Sequence, residues 1–96
     1  MNINNMLKII EDEQLDVYTN FVYGSIYTGG EYSVSFLKDS NGTFRICAVG
    51  ERGKVIFDEV VTDENYACQK IVNHMRIGKK LCTQFSNGTS SYNRAK

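Results

Sequence analysis

The stretch Glu31-Tyr-Ser-Val-Ser-Phe-Leu-Lys-Asp-Ser-Asn-Gly-Thr-Phe-Arg-Ile-Cys-Ala-Val49 decides the fold. It holds two runs of alternating polarity around one turn. Tyr32, Val34 and Phe36 fall on one face of the first run, residues 31–37. Phe44, Ile46 and Ala48 fall on one face of the second, residues 43–49. Alternation at period two is the mark of a half-buried strand. Between the runs lies Lys38-Asp39-Ser40-Asn41-Gly42, whose Asn-Gly pair supplies the positive φ values of a tight turn. A β-hairpin is the expected result.

Working outward from the hairpin, Gly50-Glu51-Arg52-Gly53 reads as a second turn. Residues 54–61, Lys-Val-Ile-Phe-Asp-Glu-Val-Val, read as the next strand. Thr62 is placed to cap a helix that carries Asp63 and Glu64 in its first turn, where anions are favoured. Ala67, Ile71, Met75 (or His74) and Gly78/Leu81 trace its apolar stripe, and the helix is expected to run to about Ile77 or beyond, with Gly78 as a candidate stop. Upstream, Leu15, Val17, Thr19, Phe21 and Tyr23 alternate with Asp16, Tyr18, Asn20 and Val22, which predicts a strand over 15–23. Ile3, Met6, Leu7 and Ile10 recur at helical spacing, which predicts a helix over 3–12. The predicted fold is α+β. A four-stranded antiparallel meander sheet is flanked by an N-terminal and a C-terminal helix, in the order α-β-β-β-β-α. One domain is expected over residues 1–85, with 86–96 as a flexible C-terminal tail that lacks an apolar pattern.

Composition narrows the function. The 96 residues suit one core. Eleven basic and eleven acidic residues cancel, but unevenly along the chain. Glu11-Asp-Glu-Gln-Leu-Asp16 is acidic, and no acid follows Glu64. Such an asymmetry suits either a charged partner at each end or, for the late bases, the dipole of the last helix. No apolar run approaches the roughly 20 residues of a membrane span. The start of the chain lacks the basic and apolar regions of a signal peptide. A cytoplasmic protein with no membrane partner is expected. Cys47, Cys68 and Cys82 are odd in number and lack Cys-x-x-Cys spacing, so free thiols are expected. Asn41-Gly42-Thr43 and Asn87-Gly88-Thr89 then read as turns rather than as glycosylation sites.

Catalytic constellations are not legible. His74 is the one histidine; helical spacing turns Cys68, six residues away, to a different side, and Cys82 is eight away beyond Gly78. Three scattered cysteines and one histidine do not give structural zinc spacing. Glu11, Asp12 and Glu13 are adjacent and diverge on a helix, while Asp58 and Glu59 face opposite sides of a strand. Gly50-Glu51-Arg52-Gly53-Lys54 leads into a strand, where a phosphate-binding loop needs a helix. No enzyme activity and no cofactor are expected. The strand region mixes both charges and carries no RNA-binding aromatic motif, so no nucleic-acid partner is expected either.

What stands out is tyrosine. There are six, with no tryptophan, and Tyr18, Tyr23, Tyr27 and Tyr32 cluster early. Tyrosine combines contact area with a polar tip and suits protein interfaces, although it also serves in cores. Glu31-Tyr32, then Glu51-Arg52-Gly53, then Thr62-Asp63-Glu64-Asn65-Tyr66-Ala67-Cys68 entering the last helix complete a pattern over about Leu15 to Met75. On these residues the chain resembles small immunity proteins of bacterial contact-dependent and polymorphic toxin systems. Phe44 stands where such proteins usually carry a tryptophan. The resemblance implies a protein that binds a cognate toxin domain, such as a nuclease, and blocks it without a cofactor. The candidate partner-binding residues are Tyr27, Glu31, Tyr32, Glu51, Arg52, Asp58 and Glu59. The acidic run Glu11, Asp12, Glu13 and Asp16 is a second candidate patch. A non-enzymatic adaptor, or a small subunit that self-assembles through a sheet edge, is the alternative, and monomer and homodimer both remain open.

Overall fold

The computed structural model describes residues 1–88, with side chains placed through Cys82. Helix α1 spans Ile3–Asp12. Strands β1, β2, β3 and β4 span Asn20–Tyr23, Ser33–Lys38, Phe44–Val49 and Val55–Val61. Helix α2 spans Glu64–Gly88. The sheet order is β1-β2-β3-β4.

The α+β class, four strands and two helices follow the sequence reading. The strand directions do not. β2–β3 and β3–β4 are antiparallel, but β1 runs parallel to β2, so the sheet is mixed. A parallel neighbour needs a crossover rather than a hairpin. Residues 24–32 provide it. Gly24 turns the chain at φ +96°, and its N–H donates to Phe36 O at 2.8 Å. The loop then crosses the sheet face away from the helices. There Ser35 Oγ accepts from Tyr27 N at 2.9 Å and donates to Tyr27 O at 3.3 Å. This cover explains why Ser33, Ser35, Cys47 and Val49, on the second face of the two central strands, are as buried as the residues facing the helices.

The predicted strand over 15–23 is also shorter. Leu15–Val17 forms a 3₁₀ turn instead, entered through Gln14 in the left-handed region at φ 54°. Leu15 is fully buried, packed in the core with Met6 and Ile10 of α1. Its burial serves helix packing, so alternation alone misassigned this segment.

The core lies between the sheet and both helices. Val34, Phe36, Phe44, Ile46 and Ala48 face Met6, Ile10, Leu15, Ala67, Cys68, Ile71, Val72 and Met75. Burying one such aliphatic side chain contributes about 1.5–3 kcal/mol. Burial also pushes the Cys68 thiol up to about 11, and raises that of Cys47, so both are inert packing residues. Cys47, Cys68 and Cys82 are free.

The two helices are tied at both ends. Asn2 caps α1 and exchanges hydrogen bonds with Asn5 as a capping box, at 2.8 and 3.2 Å. Glu64, the first residue of α2, accepts from Ile3 N at 2.8 Å and so serves the first turn of α1 as well. Its carboxylate sits where two positive helix termini converge. Replacing Glu64 with Ala is expected to cost about 1–2 kcal/mol, checked by urea unfolding against Glu64→Gln. At the far end, Arg76 grips Glu13 with two hydrogen bonds of 3.0 and 2.6 Å, and Lys79 Nζ donates to Glu13 O at 2.7 Å. Two of the late bases therefore close α1 onto α2.

The cap of α2 is Asp63, one residue beyond the expected Thr62. Its carboxylate accepts from Asn65 N at 2.9 Å and Tyr66 N at 3.4 Å. Nor does α2 stop at Gly78. It continues to Gly88, beyond Ser86 where the tail was expected to begin, and residues 89–96 of that tail lie outside the described residues. Gly78 lies inside the helix, where Thr19 packs close against it. An added Cβ would stand 3.3 Å from Thr19 Oγ1. With 25 residues, α2 is roughly 37 Å long, against about 20 Å for a six-residue strand, so its second half projects past the sheet. No helix among the described residues is long and apolar enough to cross a membrane.

Candidate functional site

The sequence-predicted site residues separate into four places. The first group does assemble. Glu31 and Tyr32 precede β2, and Glu51 and Arg52 lie in the 3₁₀ turn Glu51–Gly53 between β3 and β4. The Glu31 carboxylate accepts from the Arg52 backbone N–H at 2.5 Å. Tyr32 Oη donates to Glu51 Oε1 at 3.3 Å. Arg52 Nε lies 3.9 Å from Glu51 Oε2. Tyr32 and Arg52 both sit at positive φ, 53° and 59°, which costs a side-chain-bearing residue on the order of 1 kcal/mol. Each segment thus supplies a side chain that holds the other in its strained form. Partial burial, and then the Glu51 carboxylate, raise the pKa of the Tyr32 phenol. Tyr32 therefore does not share the strand face with Val34 and Phe36, as alternation implies. It turns out of the strand toward Glu51.

Asp58 and Glu59 lie elsewhere, on opposite faces of β4. Asp58 receives two hydrogen bonds from Arg45 across the strands, at 3.0 and 2.8 Å. That guanidinium holds its carboxyl below the ordinary range. Glu59 is paired with Lys70 of α2 and accepts from Tyr66 Oη at 3.1 Å, and the Lys70 bond lowers its pKa. Tyr27 is a fourth location, on the crossover loop, with its ring folded over Gly29 and Gly30. An added Cβ at Gly30 would come within 3.0 Å of that ring. In the acidic N-terminal run, Glu13 is committed to Arg76 and Lys79, and Asp12 lies 3.7 Å from Lys8.

The assembled cluster opens into a cavity. About 490 Å³ is enclosed between the turn and the projecting half of α2, lined by Tyr18, Thr19, Tyr32, Val49, Gly50, Glu51, Ile56, His74, Ile77, Gly78, Leu81 and Cys82. A second hollow of about 400 Å³ follows α2 toward its start, lined by Phe57, Tyr66, Gln69, Lys70, Asn73, His74 and Ile77. His74 and Ile77 belong to both, so one groove runs beside α2. Its walls hold apolar side chains that a folded monomer normally covers. Tyr32 is 53% exposed, Ile56 53%, Ile77 58% and Leu81 48%. Ile56 and Ile77 escaped the sequence reading, while Tyr18, His74 and Leu81 were noted there without being placed at the site. A signal was there. Tyr66, Lys70, His74, Ile77 and Leu81 form a second stripe at steps of three and four, beside the core stripe of α2.

His74 is the floor between the two hollows. It meets the Phe57 ring edge-on at 5.5 Å, and Lys70 Nζ lies 4.8 Å from the centre of the same ring. Burial lowers the His74 pKa. A histidine held neutral in the fold contributes stability above its ordinary value of about 6.5 and loses it as pH falls through the lowered value. Thermal melts are expected to show stability falling from pH 7 toward pH 5. The variant His74→Leu should flatten that slope, because Glu13, Asp58 and Glu59 protonate only at lower pH. An unchanged slope would place the acid sensitivity elsewhere.

Chemically the groove offers apolar contact, tyrosine hydroxyls and, at one end, the Glu51 carboxylate, with Glu31 beside it through the Arg52 turn. Among the described residues no cluster of three or more His, Cys, Asp or Glu could hold a metal ion. No family model matches this chain, and neither does any curated protein or solved structure.

Proposed function

We propose that this chain is an immunity protein that binds a cognate bacterial toxin domain in the cytoplasm and neutralises it by covering the toxin's functional surface. The observation that carries the reading is the groove, an exposed apolar trough rimmed at one end by Glu51, with Glu31 beside it through the Arg52 turn. Contiguous exposed apolar surface with a polar rim is characteristic of protein interfaces. Two tyrosines in its wall, Tyr18 and Tyr32, are residues that anchor such interfaces. The carboxylates suit a partner with a basic surface, as a nuclease has.

The contact set is revised from the sequence reading. Glu31, Tyr32, Glu51 and Arg52 stay in it, joined by Ile56, Ile77 and Leu81. Asp58 and Glu59 are held in ion pairs of their own, and Tyr27 lies over its own loop, so these three are assigned structural roles. The binding needs no cofactor and performs no reaction.

The test is genetic and then biochemical. A toxin-coding gene should lie directly beside the gene for this chain. Expression of that toxin's C-terminal domain should arrest growth, and co-expression of this chain should restore it. Growth arrest that co-expression does not relieve would reject the reading and favour the self-assembling subunit.

A further inference from the structure

Strand β4, Val55–Val61, is an outer edge of the sheet. Its free peptide groups can be assigned. Gly50 N donates to Lys54 O at 2.7 Å across the turn. Counting back by twos, Ala48, Ile46 and Phe44 direct their peptide groups at β4, and their partners Phe57, Glu59 and Val61 direct theirs back. Asp58 and Val60 therefore point their N–H and C=O outward, unpaired within the sheet. Val60 is 66% exposed. The register shift between Ala48 and Val49 ends the regular part of the strand before Phe57.

An open edge with exposed β-branched residues invites another strand. We propose that two copies of this chain form a two-fold dimer by antiparallel pairing of β4 with β4, with Asp58 opposite the partner's Val60. Three observations select a second copy as the occupant. The two outward residues, Asp58 and Val60, satisfy one another under the two-fold axis, using both open positions in each chain. On the helix face the same register sets Phe57 against the partner's Val61. Glu59 then lies on the axis, with its charge already met by Lys70.

The second observation is the flank of α2. Such an axis is perpendicular to the sheet, so both α2 helices stay on one face. With α2 above β3, three strand spacings separate the two helices, about 14 Å. Exposed Tyr66 and Ile77 reach into that gap from both sides. A lone foreign strand would fill the edge and leave this flank open, whereas a second copy covers both. The third is charge. The chain has formal net charge zero, and Asp58 is neutralised by Arg45, so no net repulsion opposes self-association. The dimer does not require a toxin, but it occupies Tyr66 and Ile77 of the groove wall, so a second copy and a toxin would compete for that flank.

Sedimentation of the full chain from low micromolar to near-millimolar concentration is expected to show a monomer–dimer equilibrium. Val60→Pro removes one outward N–H from each chain without touching the bonds to β3 and should weaken the dimer about tenfold or more. Val60→Thr keeps that N–H and should retain it. Because Val60 is exposed, neither variant should unfold. In a Cys82→Ser background, Glu59→Cys puts two thiols on the axis about 4.5 Å apart at Cα and should oxidise to a covalent dimer, while Val17→Cys should not. A chain that stays monomeric throughout would overturn the proposal. So would a dimer indifferent to the loss of the Val60 N–H, or equal cross-linking at both cysteines.

Discussion

Replacing Phe36 with Ala is expected to destabilise the fold by about 3–5 kcal/mol and to lower the melting temperature by on the order of 20 °C. Phe36 is fully buried in β2, in register between Tyr23 of β1 and Ile46 of β3. Its ring stacks on Tyr23 at 6.0 Å and meets Phe44 at 5.9 Å with a tilt of 49°. Truncation removes the apolar area and leaves a cavity under both helices, and neither helix is free to sink into it. Glu64 fixes α1 to α2 at one end, and Arg76 and Lys79 fix them at the other. A domain of this size has a total stability of about 5–15 kcal/mol, so the variant sits near the threshold of folding. Urea unfolding at fixed protein concentration is the check. Phe36→Leu, which keeps most of the volume, should lose much less. A loss below about 1.5 kcal/mol for the alanine variant would mean that the neighbours close the gap, which contradicts the two-ended tie of the helices.

The same region shows what a sequence can disclose. The hairpin Ser33–Val49 was legible because local chemistry decides it. Val34 and Phe36 alternate with serines, and Gly42 sits at φ +89° where the turn needs it. Helix α1 was legible to the residue, because its cap and its apolar stripe are both local. The direction of β1 was not. A strand carries no mark of its orientation, and residues 24–32 serve a hairpin or a crossover equally until Ser35 is seen to bind Tyr27 across the sheet. The extent of α2 was left open for a related reason. Gly78 looks like a stop in isolation, and only its packing against Thr19 gives it a different role.

The candidate site was legible in part. Glu31–Tyr32 and Glu51–Arg52 lie on two turns far apart in sequence, and the fold brings them into contact, a juxtaposition that the sequence left open. Asp58 and Glu59 were drawn toward the same site by charge alone. Each has a cationic neighbour whose identity is tertiary, Arg45 on the adjacent strand and Lys70 on the helix above. Acidity in a sequence thus reports a patch only where the fold leaves the carboxylate beside exposed apolar surface, as it does Glu51.

The remaining large effect concerns binding. Ile77→Glu is expected to weaken partner binding by about 30-fold or more while changing stability by no more than about 0.5–1 kcal/mol. Ile77 is the residue that the two hollows share, together with His74, and it is 58% exposed, so the folded monomer hardly depends on it. In a complex the position reverses. A partner side chain lying along α2 must pass Ile77, and a carboxylate there would be desolvated without a cation to meet it. The new charge would also stand in the same groove as Glu51. Titration calorimetry with the purified toxin domain gives the affinity, and a melt of the free variant gives the stability. Leu81→Ala, one turn further along the same wall, should weaken binding less, since it removes contact without adding charge. Unchanged affinity in both variants would take the partner off this groove and onto another face of the molecule. A loss of affinity matched by an equal loss of stability would make Ile77 a folding residue, against its exposure. The outcome separates an apolar trough that binds from one that is only left open.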